Sequence, residues 1–203
     1  ELLDAIAELI PSEELVLPDL PKFAIIGQPN VGKSSLINAL LDEERNMVTD
    51  IAGTTRDPIH SEYNKFGKQF IIIDTAGIRK KAKVHEDLEF YSVIRAFKSI
   101  EEADVCFLVI DATLGIESQD MELVSLVIKR NKGLVILVNK WDLVEKITNT
   151  AKEYEQTIKN KMAPFNDVPI LFISAKEKQR VFQAIEKGLE VYKHRSQKIK
   201  TSD

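Results

Sequence analysis

The chain has 203 residues, enough to bury one full core, and a single α/β domain with short extensions is expected. Apolar residues at 44% and charged residues at 30% are those of a soluble globular protein; no apolar run approaches the ~18 residues of a membrane span, which argues against a membrane partner. The net charge of −4 is unevenly placed: residues 1–20 carry six acids (Glu1, Asp4, Glu8, Glu13, Glu14, Asp19) and no Lys or Arg, leaving the rest slightly basic.

In chain order, ELLDAIAELI has apolar positions at helical spacing and is stopped by Pro11, after which SEELVLPDLP, with Pro18 and Pro21, reads as an extended linker. Residues 1–21 are expected to be the tail of an upstream unit and its linker, and the absence of an initial Met fits an excised fragment. From Lys22 onward, KFAIIG, FIIID, VCFLVID, LVILVNK and PILFIS are short, β-branched and apolar on both faces, the pattern of parallel strands buried on two sides. Amphipathic helices lie between them. LEFYSVIRAFKSI sets Leu88, Tyr91, Ile94 and Phe97 at three-residue steps, AKEYEQTIKNKM sets Tyr154, Ile158 and Met162 at four-residue steps, and the last helix sets Val181, Ile185, Leu189 and Tyr192 on one side. Residues 33–41 and roughly 118–131 supply two more. PIHSEYNKFGKQFIII alternates apolar and polar and turns at NKFGK, so its first arm is an antiparallel edge strand. The expected fold is a three-layer α/β/α sandwich around a mostly parallel sheet of about six strands.

The single cysteine, Cys106, sits inside VCFLVID and reads as a buried, inert thiol; one cysteine permits no disulfide within the chain, which fits a reducing cytosol. His60, His85 and His194 are scattered without metal-ligand spacing and read as solvated. RKKAK (79–83) and the tail KHRSQKIKTSD read as charged faces with a weak attraction for RNA.

One loop combines residues that suit neither strand nor helix. Gly27-Gln28-Pro29-Asn30-Val31-Gly32-Lys33-Ser34 fits G-x-x-x-x-G-K-[ST] between a predicted strand and a predicted helix, where backbone N–H groups and a helix N-terminus can cradle a polyphosphate. Lys33 would reach the β- and γ-phosphates, Ser34 would ligate Mg²⁺, and Ser35 completes the binding turn. FIIIDTAG places Asp74 at a strand end, near the metal and acting through water; Thr75, Ala76 and Gly77 follow, and Gly77 lets a backbone N–H approach the γ-phosphate. DIAGTTRD (50–57) is a long polar loop from which Thr54 or Thr55 could close onto Mg²⁺, Thr55 being preferred.

Base recognition falls to NKWD (139–142). Asp142 can accept from N1–H and the 2-amino group of guanine, a donor pair that adenine lacks. Asn139 would bridge toward the base or the phosphate loop, the Lys140 stem would lie over the ring, and Trp141 would pack beside the pocket. In SAK (Ser174, Ala175, Lys176) the Ala175 N–H could donate to guanine O6.

With these five motifs in order, residues 22–192 resemble the translation-factor-related P-loop GTPases. GQPNVGKSSLINALL, DIAGTTRD, DTAGIRKKAKV, YSVIRAFKSIEEADV and LVNKWDLVEK are more specifically similar to the second GTPase domain of the Der/EngA family of ribosome-assembly GTPases, although SAKEKQR lacks the Thr-Gly usual after Ser-Ala. The resemblance implies a GTPase domain over 22–195, preceded by a first GTPase domain ending at residues 1–21 and followed from 196–203 by a KH-like domain. It implies GTP or GDP, Mg²⁺ and K⁺ as ligands, the large ribosomal subunit and its rRNA as partners of the full-length protein, a cytoplasmic location and a monomeric fragment. It also implies a mechanism: Ile78 stands where Ras-like GTPases carry a water-orienting Gln, and Asn30 would help hold a potassium ion where an arginine finger would sit. Lys33, Asn30, Thr55 and Gly77 would then carry the hydrolysis, with Arg56 as a less motivated finger. The alternatives are a GTP/GDP-sensing module with little hydrolysis of its own, and an Era-type or tRNA-modification GTPase.

Overall fold

Runs such as KFAII and VCFLVID are apolar at every position because both faces of the sheet they build are covered by helices. In the computed structural model, which describes residues 20–41, 50–51, 60–65, 67–73, 89–145 and 147–197, these runs become β1 (Lys22–Ile26), β4 (Lys68–Ile73), β5 (Val105–Asp111), β6 (Gly133–Asn139) and β7 (Ile170–Phe172). The helices are α1 (Lys33–Leu41), α2 (Glu89–Glu102), α3 (Ser118–Lys129), α4 (Thr150–Met162) and α5 (Val181–Ser196). None of the described helices is long and apolar enough to cross a membrane.

The strand order is β2-β3-β4-β1-β5-β6-β7, with β1 parallel to both β4 and β5, and β6 parallel to β5 and β7. The expected antiparallel arm is β3 (His60–Lys65), joined to β4 at Gly67, whose φ is +69°. A further two-residue strand, β2 (Asp50–Ile51), pairs antiparallel with β3 and takes the edge, so the described sheet has seven strands rather than about six. Two residues are too few to leave a period-2 signal. Helix α3 stops at Lys129, short of the expected 131, and Asn131 turns the chain with φ +52°.

Alternate residues of each strand feed separate cores. Phe23, Ile25, Phe107, Val109, Val135 and Leu137 face α1 and α5, while Ala24, Ile26, Cys106, Leu108, Ile136 and Val138 face the other side with Val124, Val127, Ile158 and Met162. Phe23 anchors the first layer, its ring 4.9 Å from Phe70 and edge-on to Phe107 at 5.2 Å. Burial pushes the Cys106 thiol up to about 12, only partly opposed by Lys132 and Arg195, so it stays protonated and inert as expected. His194 is exposed, also as expected.

Asp104 gathers the amino-end edge of the sheet. Its Oδ2 accepts from the Lys22 N–H (2.9 Å), its own N–H donates to Lys22 O (2.8 Å), and its carbonyl accepts from Gly133 N–H (2.9 Å) and the Arg195 guanidinium (2.8 Å). The parallel strands all end at the opposite edge, where the chain leaves β1 at Gly27, β5 at Ala112, β6 at Lys140 and β7 at Ile173. In an open α/β sheet, ligands lie in the crevice outside these carboxyl ends.

Candidate functional site

Six residues connect β1 to α1, and their backbone is shaped by close approach. Gly27 has φ +141°, and a Cβ there would meet Val109 O on β5 at 2.3 Å. Gly32 has φ +98°, and its Cβ would fall 2.2 Å from Asn139 Nδ2. Between them Asn30 takes the left-handed φ of +63°, which its short polar side chain tolerates better than most. Val31 is buried, whereas Pro29, Asn30 and Ser35 are exposed and Gln28, Gly32, Lys33 and Ser34 are half-buried. The Lys33 ammonium folds back over the loop and donates to Gly27 O (2.8 Å) and to Gln28 O. Helix α1 has no acidic residue in its first turn, so its N-terminal partial charge is left for an anion. The loop, lysine and helix start therefore bring an ammonium group and the positive end of a helix together.

Asn139, 2% exposed at the end of β6, ties two loops together: its Nδ2 donates to Val31 O (2.8 Å) and its Oδ1 accepts from the Ala175 N–H (2.9 Å). Of its two expected destinations it therefore takes the phosphate loop. The Ala175 N–H is already given to Asn139, so any bond from it to a base oxygen is shared. Ser174 is buried and its hydroxyl accepts from Glu177 N–H, which stabilises the turn, while Lys176 is exposed.

After Asn139 the chain turns through Lys140 at φ +61° into a single 3-10 turn, Trp141–Leu143. Trp141 is 8% exposed and packs into the core against Phe172 (4.3 Å) and edge-on to Tyr154 (5.5 Å), so its ring supports the motif from beneath and does not line the pocket at the loop. The turn leaves Asp142 half-buried with its Oδ1 fully enclosed and without a hydrogen-bond partner. An enclosed carboxylate oxygen is costly unless donors reach it, and guanine's N1–H and 2-amino group are such donors.

Two contacts went unforeseen. The Lys140 ammonium pairs with Asp111 Oδ2 at 2.5 Å. Burial pushes the Asp111 carboxyl up, but hydrogen bonds from Lys140 and Thr113 outweigh it and hold the group below the ordinary carboxylate value. Across the same pocket, the Gln28 amide donates to Glu117 Oε2 (3.0 Å), linking the phosphate loop to the start of α3. A carboxylate ending the apolar run VCFLVID was the available signal for Asp111, the same one used for Asp74.

Asp120 lies behind Glu117, 1% exposed, with Oδ2 accepting from the Glu117 N–H (3.0 Å) and Oδ1 unpartnered. Burial pushes its carboxyl above the ordinary value and the Glu117 charge adds to this, against opposition from the Glu117 N–H, the nearby Gln28 amide and Lys33. The native state therefore binds the Asp120 proton more tightly than the unfolded chain does, and stability falls as pH rises through the window between the ordinary and raised values. Asp120→Asn keeps an acceptor for the Glu117 N–H. It is expected to raise stability at neutral pH by about 1 kcal/mol, the scale of one net hydrogen bond, and to give little gain below the window. Urea unfolding at about pH 3 and about pH 7.5, on either side of the ordinary Asp value, measures both; a gain of the same size at the two would contradict it.

Thr54, Thr55, Arg56, Asp74, Thr75, Ala76, Gly77, Ile78, His85 and the RKKAK cluster lie outside the described residues. Among the described residues no group of three or more His, Cys, Asp and Glu side chains is arranged to hold a metal. Of the expected magnesium ligands, Ser34 at the start of α1 is the one described, and a hydroxyl oxygen suits a hard cation that keeps most of its ligands from water and phosphate.

Residues 22–140 match the protein family described as 50S ribosome-binding GTPase. The chain is similar to proteins named GTPase Der from Amoebophilus asiaticus (59% identical over 184 residues, 91% of this chain and 42% of the relative) and Christiangramia forsetii (57% over 202 residues, 99% and 46%). It thus spans a little under half the length of these curated relatives. Among solved structures, Era in complex with MgGDPNP and nucleotides 1506–1542 of 16S ribosomal RNA superposes with a TM-score of 0.64 at 28% identity, over 84% of this chain and 56% of that one. Elongation factor SelB from Methanococcus maripaludis with the GTP analogue GPPNHP also reaches 0.64, at 16% identity over 91% and 36%, a likeness of fold alone.

Proposed function

This chain belongs to the 50S ribosome-binding GTPase family, and on that footing we propose that residues 22–195 are the second GTPase domain of a Der-type protein. In this reading the domain binds GTP, hydrolyses it to GDP and phosphate, and acts as a switch in assembly of the large ribosomal subunit. The observation that carries the choice of nucleotide is the enclosed, unpartnered Oδ1 of Asp142. Guanine's N1–H and 2-amino group are a donor pair that a carboxylate can accept from, and adenine lacks that pair.

The phosphates rest on the N–H groups of residues 27–34, at the positive end of α1, with Lys33 turning from its loop carbonyls toward the β- and γ-oxygens. Ser34, Asp74 and Thr55, or Thr54 in its place, would hold Mg²⁺, which when bound neutralises charge between the β- and γ-phosphates. Asn30, exposed at the crest of the loop, would help hold K⁺. The Gly77 N–H would sense the γ-phosphate, so that residues 50–57 and 75–87 change shape with the nucleotide. No residue is assigned as an acid or base: positioning and charge carry the reaction.

Residues 1–21 then belong to the end of a first GTPase domain and its linker, and 196–203 lead to a KH-like domain. The intact protein works in the cytoplasm on the large subunit and its rRNA. The 59% and 57% identities to proteins named GTPase Der support the Der-type reading from which these expectations come.

Competition between GTP, GDP and ATP for the purified chain with magnesium tests the base reading; guanine nucleotides are expected to win by at least about 10²-fold, and equal binding would end it. Single-turnover cleavage is expected to be faster in potassium than in sodium. Equal, near-zero rates would favour a nucleotide-sensing module.

A further inference from the structure

The reading above needs the Lys140 stem along one face of the purine, and a four-carbon chain does not hold such a line unaided. Asp111 is 6% exposed at the last position of β5 and is the register partner of Asn139 on β6, so Lys140 leaves the sheet directly beside it. Its two oxygens have separate tasks. Oδ1 accepts from the N–H (2.8 Å) and the hydroxyl (2.7 Å) of Thr113, while the turn after β5 closes on Asp111 O through Gly115 N–H (3.0 Å). With the carboxylate plane fixed from that side, Oδ2 is aimed across the strands and takes the Lys140 ammonium at 2.5 Å.

We infer that Asp111 is a positioning residue for the base site: it anchors the head of Lys140 so that the stem is already laid out for the purine ring. A lysine pinned at its backbone by the left-handed turn and at its head by Asp111 has less rotamer freedom left to lose on binding. Asp111 thereby sets how tightly a purine is held, while Asp142 sets which purine. The inference rests on the base reading in the preceding section. A carboxylate that merely satisfied the Thr113 turn would give the same Oδ1 bonds, and the two roles separate in a double-mutant cycle.

Calorimetric affinities for GDP and ATP with magnesium are measured for the parent chain, Asp111→Asn, Lys140→Ala and the double variant. Asp111→Asn is expected to weaken both nucleotides about tenfold (about 1.4 kcal/mol) with their ratio unchanged, and to add nothing in the Lys140→Ala background. If Asp111→Asn does not fold, Thr113→Val replaces it; by removing one of the two Thr113 bonds to Oδ1 it should weaken binding about threefold, again only when Lys140 is present. A loss of equal size in both backgrounds, or no loss in either, overturns the inference while leaving guanine selection intact. A parent chain indifferent to the base overturns the reading beneath it and this inference with it.

Discussion

A Gly32→Ala variant is expected to lose guanine nucleotide affinity by about 10²-fold or more and stability by at least about 3 kcal/mol, although the change adds one methyl group. Two costs add. The φ of +98° is disfavoured for any residue with a Cβ, at roughly 1–3 kcal/mol. The new methyl would also fall 2.2 Å from Asn139 Nδ2, and relieving that contact pulls Asn139 from its bridge, leaving Val31 O and the Ala175 N–H buried without their partner. Each unsatisfied group costs roughly 1–3 kcal/mol. Gly67→Ala is the control: its φ is +69°, nothing lies within 4 Å of the added atom, and it sits in the β3–β4 turn. It should cost about 1 kcal/mol of stability and leave binding unchanged. Calorimetry and urea unfolding read both; a Gly32→Ala protein with parental affinity would show that the Asn139 bridge does not shape the site.

The second large effect is expected at Asp142. Replacing the carboxylate with an amide puts an N–H₂ where an acceptor stood, so N1–H and the 2-amino group of guanine lose two charge-assisted hydrogen bonds of roughly 1.5–3 kcal/mol each. Asp142→Asn should therefore lower GTP and GDP affinity by about 10²–10⁴-fold. Xanthine carries a carbonyl at C2 and can accept from the new amide, so xanthosine nucleotides should bind the variant better than guanosine nucleotides do. A variant that still prefers GTP would mean that Asp142 does not touch the base. Because Oδ1 is enclosed and unpartnered, the loss of its charge should leave stability unchanged or raised, opposite in sign to Gly32→Ala.

Much of this architecture was legible in the residue pattern because strands covered on both sides leave unbroken apolar runs, and Ile25, Phe107 and Leu137 fall among residues no polar position interrupts. The phosphate loop was legible because its spacing is a property of one local turn. What the pattern did not disclose are pairs created by register. Asp111 and Lys140 are 29 positions apart, Gln28 and Glu117 are 89, and neither pair has a spacing that marks it before β1, β5 and β6 are laid side by side. The partners of Trp141 were hidden for a related reason: only the fold brings Tyr154 and Phe172 against its ring.

The knot at Asp104 has a mechanical consequence. Lys22, where the chain comes into the sheet, and Arg195, in the last turn of α5, are fastened to one residue at the edge farthest from the phosphate loop. The first strand and the last described helix are therefore clasped to one another through a single side chain and its peptide group, so loss of the Asp104 carboxylate would loosen both ends of the described fold at once.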